Sequence, residues 1–357
     1  MNILKEKIHN IIAENGPISI ASFMEISLSD NKYGYYRKKM PLGSKGDFVT
    51  SPDISQIFGE IIGIWILDIW IKLKEPSNFQ IVDLGGGRGT LLKDINRVLK
   101  NKVSNFIFID INKELIKLQK KALKDASHFE KIDDIPKKPT IFIGNEFLDT
   151  FPVHQFIKKD NYWEEVCINS NGKELFFSYE STKLSKKLPL NNFLNLKDDS
   201  IIEINFKVRK IINNISYFIK KNSGAAIFFD YGYIDGHGDS FQGIKDNKPV
   251  NPLSDPGFID LTSHVNFKDI KSQAKENNIN IYGPSTQSLF LEQMGAIQRL
   301  KILEKNANNH QRNDLRIGLN RLMSDKEMGN LFKVIALSSK NFPSLEGFTC
   351  GTTTNKK

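Results

Sequence analysis

The chain has 357 residues, 39% of them apolar, which is enough for a sizeable core in one large domain or two ordinary ones; 25% charged and 10% aromatic residues exclude wholesale disorder. Two cysteines, Cys167 and Cys350, cannot build a disulfide framework or a cysteine-based zinc site, and point to a reducing compartment. The formal charge of +9 would suggest nucleic acid only if the basic residues clustered; they are scattered among acids, and runs as short as Arg37-Lys38-Lys39 read as solvated surface, so nucleic acid is not the expected partner.

The first sixteen residues lack the apolar stretch of a signal peptide. The most hydrophobic segment, Ile57 to Leu73, is interrupted by Glu60 and Asp68, and its longest uncharged run, Ile61 to Leu67, is far short of a membrane span. A cytoplasmic protein without a membrane span is expected. Ile3, Ile8, Ile11 and Ile12 recur at helical spacing, and Asn15-Gly16-Pro17 ends that helix. A short helix over Ser19 to Leu28 precedes a polar, glycine-bearing stretch, Asp30 to Asp47. Ser51-Pro52 then opens a helix from Asp53 to Lys74, because proline suits a first turn where its missing donor would be unpaired anyway.

Strands are predicted at Phe79 to Leu84, Phe106 to Ile109, Thr140 to Ile143 and Ala225 to Phe229, with a weaker one at His128 to Ile132. Helices over Thr90 to Lys100 and Lys113 to Asp125 separate the first of them. Alternation of this kind implies an α/β fold with a parallel sheet and helices on both faces. His154 to Ile157, Tyr162 to Ile168 and Glu174 to Tyr179 interrupt it as inserted antiparallel strands, joined by turns at Lys159-Asp160-Asn161 and Asn171-Gly172-Lys173. Gly232 to Gly257 reads as one long loop, Phe267 to Gly329 as mainly helical, Phe332 to Leu337 as a closing strand and Thr352 to Lys357 as a frayed end. The expected division is a helical extension (1–75), the first part of a ligand-binding α/β domain (76–152), inserted strands (153–204) and the second part of that domain (205–357).

Ile81-Val82-Asp83-Leu84-Gly85-Gly86-Gly87-Arg88-Gly89-Thr90 is a buried strand running into a glycine cluster and then a helix. Glycine lets the backbone turn sharply and approach a ligand with no Cβ in the way. Asp110 ends the next strand, where its carboxylate can accept both hydroxyls of a ribose. Dinucleotides and S-adenosylmethionine are both bound by this device. A dinucleotide fingerprint would need a small residue at Thr90 or Leu92, and neither fits. The observed Asp-Leu-Gly-x-Gly-x-Gly resembles the first motif of class I methyltransferases, with Asp83 placed to reach the methionine amino group. The plainer alternative is a glycine-rich turn in which Asp110 only caps a helix.

The strand Thr140 to Ile143 leads into Asn145-Glu146-Phe147-Leu148-Asp149, beyond a strand's carboxyl end, where substrates of open α/β sheets bind. Glu146 and Asp149 are three apart, hence on one face if the turn is helical. A guanidinium is a poor nucleophile because its charge is delocalised and it stays protonated. Two carboxylates can pin it and free one nitrogen for attack. Glu146 and Asp149 are therefore candidate catalytic residues with Asn145, unless Asp149 is a cap and Glu146 a solvated acid. Ser51 and the amides that follow can bind an anionic group or simply cap a helix. Asp230-Tyr231-Gly232 ends another buried strand and should lie on the active rim, and His264 is either a general base or a structural histidine. No metal-ligand spacing, nucleophile elbow or P-loop occurs.

The segment Gly46-Asp47-Phe48-Val49-Thr50-Ser51-Pro52-Asp53-Ile54-Ser55-Gln56-Ile57-Phe58-Gly59-Glu60, the Asp83 to Thr90 loop, Asn145 to Asp149 with Pro152 and Val153, Asp230-Tyr231-Gly232, and Asp255-Pro256-Gly257 with Asp260, Leu261, Thr262 and His264 together resemble the MidA family of class I methyltransferases. The members of that family are bacterial relatives of a mitochondrial complex I assembly factor. The resemblance runs from about Ile20 to Leu337. It implies a Rossmann-like methyltransferase sheet with a helical N-terminal extension and inserted antiparallel strands, and S-adenosylmethionine as methyl donor. It also implies a protein substrate whose arginine is methylated, as on a complex I subunit. In this reading Asp83, Gly85, Gly87, Gly89, Thr90, Asp110, Ser51 and Pro52 hold the donor, and Asn145, Glu146, Asp149 and His264 serve the acceptor. The rivals are a methyltransferase of RNA or a small molecule and an assembly factor that binds its client without turnover.

Overall fold

The computed structural model describes residues 2–38, 49–100, 102–103, 105–160, 162–181, 193 and 195–348. Gly46, Asp47 and Phe48 of the long motif, Lys39 of the basic run, Asn161 of the first hairpin turn, Cys350 and the 352–357 end lie outside the described residues. Helix α1 (Ile3–Asn15) starts at Asn2, whose side-chain oxygen accepts from the Leu4 and Lys5 amides, and it stops at Gly16, φ +81°. Then come β1 (Ile18–Ser19), α2 (Ile20–Ser29) and α3 (Tyr35–Lys38). The helix expected from Asp53 is two, α4 (Ser51–Ile54) and α5 (Gln56–Lys72). Ser55 between them is extended (φ −152°, ψ 130°), and its hydroxyl accepts from the Ile57 amide, so it caps the second helix instead of continuing the first.

Strands and helices then alternate: β2 (Gln80–Leu84), α6 (Thr90–Leu99), β3 (Asn105–Ile109), α7 (Lys113–Ala122), β4 (Ser127–Phe129) and β5 (Thr140–Asn145). The inserted strands are β6 (His154–Lys159), β7 (Tyr162–Ser170), β8 (Leu175–Ser181) and β9 (Ile201–Ile204), and α8 (Phe206–Asn222) leads back to β10 (Gly224–Tyr233). The expected loop from Gly232 holds a hairpin, β11 (Gln242–Lys245) and β12 (Lys248–Val250), followed by β13 (Asp260–Thr262) and β14 (Val265–Asn266). Its turn residues, Asp246 and Asn247, have φ of 51° and 59°, the two positive values of a tight hairpin. The helical stretch is likewise broken: β15 (Asn280–Thr286) separates α9 (Phe267–Glu276) from α10 (Gln287–Gln293), α11 (Ala296–Glu304), α12 (Asn309–Met323) and α13 (Met328–Leu331). β15 is a half-buried edge strand, so its residues lack the continuous apolar run of the inner strands. β16 (Phe332–Ser338) closes the fold.

The main sheet has the order β15-β16-β10-β5-β2-β3-β4. β10, β5, β2, β3 and β4 are parallel, β16 runs antiparallel to β10, and β15 antiparallel to β16. Chain order reverses between β2 and β5, which opens a crevice at their carboxyl ends. β2 and β5 are buried throughout, as a sheet covered on both faces requires. Ile81, Ile141 and Ile227 pack with Trp65 of α5 and Leu92 of α6 on one face, while Val82, Phe142 and Phe228 pack with Ile212 of α8 and Phe267 of α9 on the other. A second sheet, β1-β7-β6-β9 with β8 on β7, is antiparallel. The expected helical extension therefore divides: α1 and α2 pack on this second sheet through Leu4, Ile8, Phe23 and Ile168, whereas α5 belongs to the main core. No helix among the described residues is long and apolar enough to cross a membrane.

Helix α5 carries one buried acid, Glu60, at 1% exposure. Arg97 of α6 donates to its Oε1 at 2.9 Å, and Arg299 of α11 donates at 2.8 and 3.1 Å. One carboxylate thus joins three helices. Removing it leaves two arginines that can partly rehydrate. Glu60→Ala is expected to lower unfolding stability in urea by about 2 kcal/mol, below the usual loss for a fully buried pair, and Arg97→Ala by less, because Arg97 is half exposed.

Candidate active site

A cavity of about 320 Å³ lies at the carboxyl ends of β2, β3 and β5. The glycine cluster forms one wall. Gly85 and Gly87 have φ of +65° and +51°. A Cβ on Gly85 would stand 2.9 Å from the Phe147 ring, and one on Gly86 would stand 2.4 Å from the Phe108 ring, so the backbone occupies space that no side chain could share. Gly89, at the start of α6, faces away from the cavity toward Ala122 of α7.

Asp83 and Asp110 both line the cavity. Asp110 Oδ1 accepts from the Asn112 amide at 2.8 Å, and Oδ2 accepts from Gln119 Nε2 at 2.7 Å. The same Gln119 nitrogen donates to the Gly87 carbonyl at 2.9 Å, so one buried amide group ties the glycine turn to the acid on the next strand. Asp83 Oδ2 is buried with no hydrogen-bond partner. Burial and the neighbouring Asp110 charge hold the Asp83 carboxyl well above its ordinary range.

Thr90 and Pro52 also line the cavity, and the Thr90 hydroxyl donates to Asp53 Oδ1 at 2.7 Å. Ser51 is buried behind them. Its amide donates to Glu146 Oε1 at 2.9 Å and its hydroxyl at 3.4 Å, so the group expected to await an anionic ligand is taken by a carboxylate of the chain itself. Asn145 Nδ2 reaches the same oxygen at 3.0 Å. Glu146 adopts a left-handed φ of 51°, and its own amide donates to the Phe229 carbonyl at 2.8 Å. Burial, with the charge of Asp149, pushes the Glu146 carboxyl up to about 7 against the opposing pull of these donors.

Two expectations need correction. The turn after β5 is not helical, and the left-handed Glu146 sends the two acids different ways: Glu146 lines the cavity, whereas buried Asp149 does not. Asp149 receives a hydrogen bond from the Tyr231 hydroxyl, and burial raises its carboxyl. His264 is also outside the cavity. It lines a separate small cleft with Leu148 and Glu203 and meets the Tyr231 ring edge-on at 5.5 Å. Burial and Lys333 lower its proton affinity.

Sequence reasoning passed over Tyr36 and Gln119. Tyr36 lines the cavity, and its hydroxyl donates to Asp260 Oδ1 at 2.8 Å. Gln119 had a signal: it shares the buried face of α7 with Leu115, where a polar residue needs partners. The glycine cradle, the partnerless Asp83 oxygen and the Asp110 carboxylate fit a ligand carrying an ammonium and a ribose.

A family model described as "Putative S-adenosyl-L-methionine-dependent methyltransferase" matches residues 61–285. The chain belongs to that family. S-adenosyl-L-methionine is the methyl donor of this methyltransferase, and transfer of a methyl group is its reaction. It is 31% identical, over 94% of its length and 84% of the relative's, to the mitochondrial protein arginine methyltransferase NDUFAF7 homolog of Drosophila melanogaster. With the mitochondrial protein arginine methyltransferase NDUFAF7 of Homo sapiens it shares 33% identity, over 91% of this chain and 81% of that one. A crystal structure from Burkholderia thailandensis bound to S-adenosyl-homocysteine superposes with a TM-score of 0.86 at 20% identity, covering 97% of this chain and 94% of that one, which shows the common fold.

The raised Glu146 carboxyl has a stability consequence. Its protonated form is favoured in the folded state, so this contribution is complete below the unfolded value of about 4 and is lost as pH rises through about 7. Glu146→Gln keeps an acceptor for Ser51 and carries no charge. Urea unfolding should show the wild type losing stability relative to Glu146→Gln as pH is raised from about 5 to about 8; a constant difference would contradict the burial of this acid.

Proposed function

We propose that the methyltransferase modifies an arginine of a protein, a respiratory complex I subunit or a similar client. The observation that carries this reading is the Glu146 carboxylate on the cavity wall. One oxygen is held by Ser51 and Asn145, which leaves Oε2 as the group to meet an incoming cation. The names of the curated relatives, which describe protein arginine methyltransferases, support the same acceptor.

S-adenosyl-L-methionine supplies an electrophilic methyl group on a sulfonium. On this reading Gly85 and Gly87 give the donor a backbone cradle, Asp110 accepts its ribose hydroxyls and Asp83 its ammonium. Gln119 fixes Asp110 and the loop relative to each other. Pro52 and Thr90 bound the site on the α4 side, and Gly89 sets the start of α6. Glu146 localises the positive charge at one end of the guanidinium and accepts its proton, a role suited to a carboxyl held near 7. Asp149 acts from behind, through its charge, and His264 takes no part. A cytoplasmic location belongs to the same proposal and rests on sequence patterning alone.

The test is incubation with methyl-labelled donor and a cell extract. Label should enter protein, survive nuclease, be lost to protease and appear as methylarginine after hydrolysis. Label in RNA or in small molecules would replace the reading with a rival, and an unlabelled extract whose complex I assembly is still supported by Glu146→Ala would favour a binding-only assembly factor. With an active acceptor, Glu146→Ala should lower kcat by about 100-fold or more, as for loss of a proton acceptor. Gly87→Val places a β-branched residue at φ +51° against the ligand, and should abolish S-adenosyl-homocysteine binding in calorimetry; unchanged affinity would remove the donor-site assignment.

A further inference from the structure

The turn that presents Glu146 has no secondary structure of its own. Its amides need acceptors because Leu148 and Asp149 are buried and their neighbours half-buried. A single oxygen provides them. Asp230 Oδ2, at the rim end of β10, accepts from the consecutive amides of Phe147, Leu148 and Asp149 at 3.1, 2.8 and 3.3 Å. Oδ1 accepts from the Tyr231 amide at 3.1 Å. Asp230 itself is 1% exposed and does not line the cavity. Successive amides converging on one point make a local positive pole, and a carboxylate answers it better than a neutral group.

We propose that Asp230 is a positioning residue for methyl transfer: by gathering the three amides that follow Glu146, it holds that residue in its left-handed conformation with its carboxylate on the cavity wall. The adjacent bond from the Glu146 amide to the Phe229 carbonyl fixes where the turn begins, and Asp230 fixes how it continues. The strand does not depend on this carboxylate, because β10 is paired along its length with β5 and β16. The donor's proposed holders, Asp83, Gly85, Gly87 and Asp110, stand on or after β2 and β3, whereas the oxygens of Asp230 accept from the turn after β5 and from the Tyr231 amide. The turn meets the donor cradle at the Phe147 ring beside Gly85, so a role confined to the acceptor side has to show in kcat before it shows in donor affinity. The role rests on the assignment of Glu146 as the acceptor-side group.

Asp230→Asn keeps the shape, weakens the acceptor and turns a donating NH2 toward the amides. The expected result in the full chain is a kcat lowered about tenfold or more, as misplacement of a reacting group by a fraction of an ångström produces, with the Kd for S-adenosyl-homocysteine changed less than about threefold. An unchanged kcat, or a Kd that rises in step with the loss of kcat, would overturn the proposal. Amide hydrogen exchange of the wild type supplies a check that needs no variant. The Phe147, Leu148 and Asp149 amides should exchange at least about tenfold more slowly than in an unstructured peptide, and free exchange at all three would overturn it. If the wild type methylates no acceptor, the functional reading fails, while exchange and donor affinity still decide whether Asp230 orders the turn.

Discussion

The bond from the Ser51 amide to Glu146 Oε1 joins residues 95 positions apart in the chain. It seats the first turn of α4 against the end of β5, on the wall of the cavity. Glu60 secures the far side of the same unit, because α5 follows α4 and is clamped to α6 and α11. Thr90 completes the closure by donating to Asp53. A helix start, a strand end and the helix after the glycine loop are thus locked together by polar groups that have little water to turn to.

The electrostatics of the cavity follow from the same crowding. Asp83 and Asp110 stand on adjacent strand ends, and Glu146, Asp149 and Asp230 crowd one turn and the strand beside it. Burial disfavours the charge on each of them, and repulsion by a neighbouring acid adds to it at Asp83, Glu146 and Asp230. Such an arrangement lowers the stability of the empty protein. It is relieved by positive charge, and the proposed reaction brings two positive groups: the sulfonium donor and the guanidinium acceptor. The strain in this site is therefore selective for cations at the place where a methyl group must change hands.

The proposed donor side could be read as a motif in the sequence because its parts are local. A strand, three glycines and an acid one strand further on lie within 31 residues, Gln80 to Asp110, and each obeys a backbone rule that can be read from residue type. The acceptor side was only half legible. Glu146 was found from its place after a buried strand. Asp149 lies off the cavity, because spacing alone assumed a helical turn and could not show a left-handed Glu146 followed by amides that donate to Asp230, 81 to 83 residues away. Gln119 was overlooked inside a lysine-rich helix, although its place on the apolar face was a usable clue. The hairpin at Asp246-Asn247 was hidden by the polar composition that had marked it as loop, and β15 by the half-exposure of an edge strand.

This difference in legibility has a physical basis that bears on function. The donor is the same for the whole family, and the groups suited to it come from one β-α-β unit whose geometry the backbone dictates. The other wall of the cavity, the proposed acceptor side, is assembled from α2, α3, α4 and the turn after β5 by contacts between distant segments: Tyr36 with Asp260, Ser51 with Glu146, Asp230 with the Leu148 amide. On the proposed function, what distinguishes one acceptor from another would lie in the helical layer and the turn after β5 rather than in the sheet, because a fold shared with other methyltransferases does not by itself choose the acceptor.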